Sequence, residues 1–454
     1  MHSAAVSVAA FFCGISFLRP TGMNAQSSFA GEASRFQLAS SFLASPVTNY
    51  LFAVCVIGLT FKQLQTFGAV GPIEILTAAL CLAIGIAAAA CGRLPKKGAV
   101  LLIAAPVVLC LASAGIAALS DPARMSVRDA FAYVFTAVVV WTYLALAADT
   151  HKSLIAKIAL VLGLYLTVGA ILWVLPTSSW TDFTRYPVNG KFQGLSNNPN
   201  QIALLTVVGV SMLFLVDDHP KALWRAVLLS VGIGAAGAFT GSSAILLALG
   251  ASLVVGAIVF VARSLGGRKT RFPLEYIIPF VFSLLAAAPI GHAGAPAPEA
   301  IVPPAVATTS EQPSSIKSML DADGGEGSIR LEMWSTAVQM IATSPIIGLG
   351  PGPHVPWTHP ISGETTLNEA HNTILDILLV AGALGLLASL APVAIALRNA
   401  WMNGAIGPTL VVLCPIGVFA MFHYVGRQPL VWILFAASIF MLKQKSFPAR
   451  KHEE

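Results

Sequence analysis

The chain has 454 residues, 56% of them hydrophobic and only 10% charged, with a formal net charge of +6 and a mean hydropathy of +0.79. Soluble globular domains carry about 25% charged residues, so this composition excludes a soluble protein and points to an integral membrane protein. The excess of basic residues is no nucleic-acid signal, because it is scattered over short connections rather than gathered in one patch.

The long apolar runs approach the roughly 20 residues that a helix needs to cross a bilayer. Backbone exposed to lipid must satisfy its own hydrogen bonds, so spans are helices or a closed barrel. Uninterrupted apolar runs lack the alternation of barrel strands. The expected fold class is therefore all-α, with about twelve transmembrane helices and a large outer loop before the last three. In chain order the first nine spans fall near 46–62, 68–91, 98–119, 128–147, 154–176, 200–217, 223–240, 243–263 and 273–292, and the last three near 371–397, 404–423 and 428–443.

Residues 1–45 form an N-terminal segment. Its apolar stretch 3–19 lacks the basic flank of a secretion signal. It reads either as an extra helix or as the product of an early start codon, with Met23 the true start. Residues 46–292 hold helices 1–9, 293–370 the large loop, 371–443 helices 10–12 and 444–454 a cytoplasmic tail. Lysine and arginine favour one side by roughly two to one, which places both termini inside and the 177–199 and 293–370 loops outside. The six cysteines all lie in apolar segments and none forms a Cys-x-x-Cys pair, so neither a zinc site nor a disulfide framework is indicated.

The 293–370 loop is longer than a connection requires. Its first part, Ala293 to Pro313, is rich in Ala, Pro and Thr and reads as extended or disordered. From Ser328 to Ala342, the apolar residues Ile329, Met333, Val338, Met340 and Ile341 recur among polar ones, as in an amphipathic helix at the outer interface. Pro345 and Gly348 end it.

Several places can carry chemistry. Arg330 is either an interfacial arginine that snorkels to lipid phosphate or a clamp on a pyrophosphate, for which a guanidinium fork is well suited. His371 follows Asn368-Glu369-Ala370 and precedes Asn372 at the head of a span; it reads as a cap or as a base for a sugar hydroxyl. His354 and His359 share its loop but sit in turn-like sequence. The stretch from Arg185 to Asn200 is dense in turn residues. It reads as a capped re-entry into the membrane, or as a site where Lys191 or Arg185 is a second phosphate-binding cation and Asn198 and Asn200 are sugar-binding amides. The acidic run Asp321-Ala322-Asp323-Gly324-Gly325-Glu326 reads as a solvated turn, since Glu326 stands where a calcium loop needs glycine. Glu74 and Asp376 are acidic groups within spans and thus functional candidates, although Glu74 also suits a bond to a neighbouring helix.

At these residues the chain resembles the O-antigen ligase and polymerase superfamily of bacterial envelopes. Three motifs carry the likeness. The first is Gly190-Lys191-Phe192 leading to Asn198-Pro199-Asn200 at the start of a span. The second is Arg330 with Trp334, then Pro345, Gly348 and Gly350. The third is His371-Asn372 followed by Gly382 and Gly385. The resemblance implies a multi-pass protein of the bacterial inner membrane with its active site facing the periplasm. It implies an inverting glycosyltransferase that needs neither metal nor cofactor, with an undecaprenyl-pyrophosphate-linked glycan as donor and a glycan or lipid A-core as acceptor. His371 and Arg330 would then be catalytic, and Lys191, Arg185, Asn198, Asn200 and Asn372 would bind substrate. Two departures stand out. The family commonly has arginine where Lys191 aligns, and often a Ser-Arg pair where this chain reads Thr240-Gly241-Ser242-Ser243-Ala244. Ligation and polymerisation both fit, with polymerisation or export-associated transfer slightly favoured. A transporter or flippase for lipid-linked glycan is the alternative, but its mid-membrane ionisable groups would be limited to Glu74 and Asp376.

Overall fold

The computed structural model describes residues 36–61, 71–95, 97–120, 126–147, 151–175, 191–196, 198–216, 223–265, 278–290, 326–358 and 365–444. Helices α1 (Phe36–Ala44) and α2 (Pro46–Gly58) meet at a bend of 56°. There follow α3 (Pro72–Ala90), α4 (Lys97–Ser120), α5 (Val127–Ala147), α6 (His151–Val174), α7 (Pro199–Val216), α8 (Leu223–Phe239), α9 (Ser243–Leu265) and α10 (Ile278–Ile290). Next come α11 (Glu326–Thr343), a hairpin of β1 (Val355–Thr358) and β2 (Thr365–Asn368), then α12 (Thr373–Met402), α13 (Ile406–Ala420) and α14 (Pro429–Gln444). Helices α2 to α10 and α12 to α14 fall on the expected apolar segments. Six, namely α3, α5, α6, α7, α9 and α12, are long and apolar enough to cross a membrane, or seven if the bent α1–α2 pair is one span. The other helices on these segments are apolar but shorter or pass the test over part of their length.

Helix ends follow local chemistry. Ser45 accepts from Val47 N and Pro46 occupies the first turn of α2, where a missing N–H costs nothing. Glu74 sits in the first turn of α3 and accepts from Gly71 N at 3.1 Å. This acidic group caps its own helix rather than standing at mid-membrane.

The core centres on α7, apolar on nearly every face and buried from Ile202 to Leu215, as a helix enclosed by others must be. Outward-facing Leu164, Ile171, Leu247, Val254 and Ile258 are exposed, which suits a surface bathed in lipid. Since lipid and leucine are equally apolar, helix pairing relies on small residues and hydroxyls. Gly234 of α8 lets the backbone of Ser283 in α10 approach where a Cβ would collide. Ser283 Oγ donates to Ser230 O at 2.8 Å, and Ser252 Oγ of α9 donates to Val411 O of α13 at 3.0 Å.

Helix α11 forms over the expected stretch. Met333 and Ala337 are buried with Val355, Ala370 and Leu379, and Ile329, Met340 and Ile341 pack against this cluster. The apolar stripe thus seats the helix on the hairpin and on the head of α12, while Val338 remains exposed.

Loop and helix interlock just beyond α11. Helix α12 breaks at Gly382, whose φ of 63° is left-handed. The 345–350 loop inserts its backbone there: Leu349 N donates to Leu379 O at 2.6 Å, Gly350 N to Val380 O at 3.0 Å, Ala383 N to Pro345 O at 2.8 Å and Leu384 N to Ile346 O at 3.2 Å. Ser113 Oγ of α4 also donates to Val380 O at 2.5 Å. Irregular backbone within a span persists only where protein satisfies it, and this loop supplies the partners. A Cβ on Gly348 would lie 2.5 Å from Ala381 N, and one on Gly382 would collide with the Ile346 carbonyl. Two of the three sequence motifs therefore meet face to face in one junction.

Candidate active site

The head of α12 is built around a strained histidine. His371 has φ of 52°, a left-handed conformation that costs a side-chain-bearing residue roughly 1–2 kcal/mol. Asp376, one turn into the helix and only 4% exposed, holds it from both sides: its carboxylate accepts from Ala370 N at 2.7 Å and from Asn372 N at 3.1 Å. Asn372 caps α12, its Oδ1 accepting from Ile374 N and Leu375 N. Thr373 then ties the turn to the α13–α14 connection. Its hydroxyl donates to His423 O at 2.7 Å and accepts from Val425 N at 3.0 Å. Strain maintained by its surroundings in this way is characteristic of functional sites.

Arg330, on α11, lies close enough to His423 for its charge to act on that ring. One helical turn on, Trp334 donates its indole N–H to Ala370 O at 3.0 Å, the carbonyl that immediately precedes His371. The third group there is His423. Its ring stacks on Phe419 at 4.5 Å, it is 5% exposed, and its Nε2 is buried with no hydrogen-bond partner. Burial, followed by the charges of Arg330 and His371, pushes its pKa down to about 3. His423 is therefore neutral at physiological pH.

The other side of the turn carries a second cluster. Arg427, in the α13–α14 connection, pairs with both Asp129 at the head of α5 and Glu369. Its backbone carbonyl accepts from Thr136 Oγ1 at 3.1 Å, and its guanidinium lies 5.1 Å from the Tyr424 ring centre.

The remaining sequence candidates fall elsewhere. Phe192 N donates to Phe239 O at 3.0 Å, and the Lys191 stem runs along Gly241. Lys191 thus reaches the turn where the family pattern has a Ser-Arg pair. Ser243 opens α9 beside it. Asn198 turns its side chain onto Asn200 N at 2.8 Å, closing the entry to α7. Arg185 lies outside the described residues, as do His359, residues 1–35, the Ala293–Pro313 stretch and all of the acidic run except Glu326. His354 is buried and its Nε2 contacts Gly350 O at 2.7 Å, consistent with its reading as a turn residue. Among the described residues no group of three or more His, Cys, Asp or Glu side chains is placed to hold a metal.

A family model described as O-antigen ligase matches residues 226–390. That stretch contains Arg330, the 345–350 loop, His371 and Gly382. The match supports the superfamily resemblance read from the motifs, and it favours glycan processing over lipid transport. Neither the curated proteins nor the solved structures give a significant match to the chain. Two features near the candidate site escape sequence reasoning. His423 is a lone histidine at the end of an apolar run, and the Arg427–Asp129 pair joins residues that are far apart in the chain. The one available signal was the cost of keeping charge near a span.

Proposed function

We propose that the chain is a membrane glycosyltransferase that transfers or polymerises glycan carried on undecaprenyl pyrophosphate, working at the periplasmic face of the bacterial inner membrane. The observation that carries this reading is that the charges of Arg330 and His371 both bear on His423, beside a strained turn and within the stretch that the O-antigen ligase model matches. His371 takes the proton from an acceptor hydroxyl. The acceptor oxygen attacks the anomeric carbon from the side opposite the pyrophosphate, the bond from that carbon to the leaving oxygen breaks, and the anomeric configuration inverts. Arg330 holds the pyrophosphate as negative charge gathers on it. Either Lys191 or Arg185 is the further cation of the donor site, with Lys191 favoured by its place in the motif. The reading routes no step through a metal or cofactor.

Ligation onto lipid A-core and growth of a repeat-unit polymer share this chemistry and differ only in acceptor. The deciding experiment is reconstitution of the purified protein in liposomes with an undecaprenyl-pyrophosphate glycan and an acceptor. New glycosidic bonds that vanish in Arg330→Ala are expected. Movement of intact lipid across the bilayer with no new bond would overturn the proposal in favour of a flippase.

A further inference from the structure

A cavity of about 370 Å³ reaches the Glu369–Thr373 turn at Glu369. It lies where the end of α2 meets the heads of α3, α5, α7 and α14, and it is lined by Glu74, Arg128, Asp129, Gln201, Glu369 and Arg427. Its size falls within the range of small-molecule sites, about 300–1,000 Å³.

Its charge determines what it can accept. Three carboxylates face two guanidiniums, and Arg427 is already engaged by Asp129 and Glu369. The carboxylates outnumber the guanidiniums, of which Arg128 alone is not in these pairs, so the lining disfavours a phosphate. It does not disfavour an uncharged hydroxyl-rich ligand, because each hydroxyl can donate to a carboxylate and accept from a guanidinium or amide N–H. Gln201 supplies a specific demand: its Oε1 is buried with no hydrogen-bond partner, a costly state that a donated hydroxyl would relieve. Phe131 and Phe135 also line the cavity and stack with ring centres 5.7 Å apart, which provides a flat apolar surface for the C–H face of a pyranose. Glu369 belongs to the same turn as His371, so a sugar held here lies beside the group proposed to deprotonate it.

We propose that this cavity is the acceptor subsite and that it binds an uncharged sugar through Gln201, Asp129 and Glu369, with Phe131 beneath the ring. The assignment rests on the glycan-transfer reading. It places the pyrophosphate at Arg330 and the acceptor sugar at Glu369, two residues before His371, and it makes Gln201, rather than Asn198 or Asn200, the sugar-reading amide of the segment that opens α7.

Two measurements test it. The first is steady-state transfer in liposomes by Gln201→Leu and by Phe131→Ala, the latter a change at a largely exposed side chain. Each should raise the acceptor KM at least tenfold and leave the donor KM within twofold. A rise in donor KM instead, or no change in either, would overturn the assignment. The second does not depend on turnover: equilibrium binding of neutral oligosaccharides released by mild acid from the envelope glycan of the producing cells, and of the same oligosaccharides after phosphorylation. Wild-type protein should bind the neutral set at least tenfold more tightly, and Gln201→Leu and Phe131→Ala should lose that preference. Equal binding of both sets would overturn the proposal. If the neutral preference holds while wild-type protein forms no glycosidic bond, the cavity assignment stands as a sugar site and the transfer reading falls.

Discussion

The two sides of the Glu369–Thr373 turn each hold an arginine, yet their chemistry is opposite. Arg330 stands with His371 and a neutral, buried His423. Arg427 stands between two carboxylates that take up its charge. A guanidinium is an anion site only where its partners leave charge over, so counting cations along a chain does not locate phosphate-binding positions. On the proposed reading, the first arginine suits a leaving pyrophosphate and the second a setting for hydroxyls.

The largest effects should come from breaking that asymmetry. Arg330→Ala should abolish transfer, and Arg330→Lys should restore it poorly, because a point charge does not reproduce a bidentate fork; liposome assays at matched expression measure both. Full activity in Arg330→Ala would remove it from the site. Next, His371→Ala should lower turnover by roughly a hundredfold while donor binding persists. The pH profile gives the role its sign. If His371 is a base, wild-type activity falls as pH drops through its pKa, whereas an imidazolium that binds phosphate requires a fall as pH rises.

Arg427 should fail in a different way. Arg427→Leu leaves Asp129 and Glu369 without their cation and should destabilise the protein by about 2–3 kcal/mol, below the 3–5 of a fully buried pair because these groups keep partial contact with solvent. Adding Asp129→Asn and Glu369→Gln to that variant should recover most of the lost thermal stability in detergent. Recovery of none of it would show that the pairing is not what holds the region.

The smallest effect concerns acid. The pKa of His423 in the folded protein, about 3, is lower than its unfolded value of about 6.5. Its burial in neutral form therefore supports the fold fully above pH 6.5, and this support drains away as pH falls toward 3. The thermal midpoint should drop between pH 7.5 and 5, and the drop should be shallower in His423→Gln. An identical pH dependence in the two proteins would remove His423 as the source.

Sequence and structure agree where one apolar pattern settles the outcome. The helices expected from apolar runs appear within a few residues, and α11 forms where Met333, Met340 and Ile341 mark a stripe. Agreement ends where distant backbone decides. The segment from 371 reads as a continuous span, but α12 is broken at Gly382 because the 345–350 loop supplies its hydrogen bonds. The β1–β2 hairpin reads as turn, being two four-residue strands with little alternation. Asn372 reads as a sugar ligand, and the structure uses its oxygen as a helix cap. At the site, Arg330, Trp334 and His371 were legible because each is a polar residue in a demanding place. His423 and the Arg427–Asp129 pair were not, since a single chain carries no record of which distant groups face one another.

The junction at Gly382 also bears on how such proteins can be recombined. Four backbone hydrogen bonds stitch residues 345–350 to 379–384, so the segment from α11 onward and the first part of α12 make a single exchangeable part. A chimera cut at the membrane boundary near residue 372 would graft a loop onto a helix whose break it was not shaped to fill. A crossover placed below Gly385 would carry lock and key together, and with them the turn that holds His371.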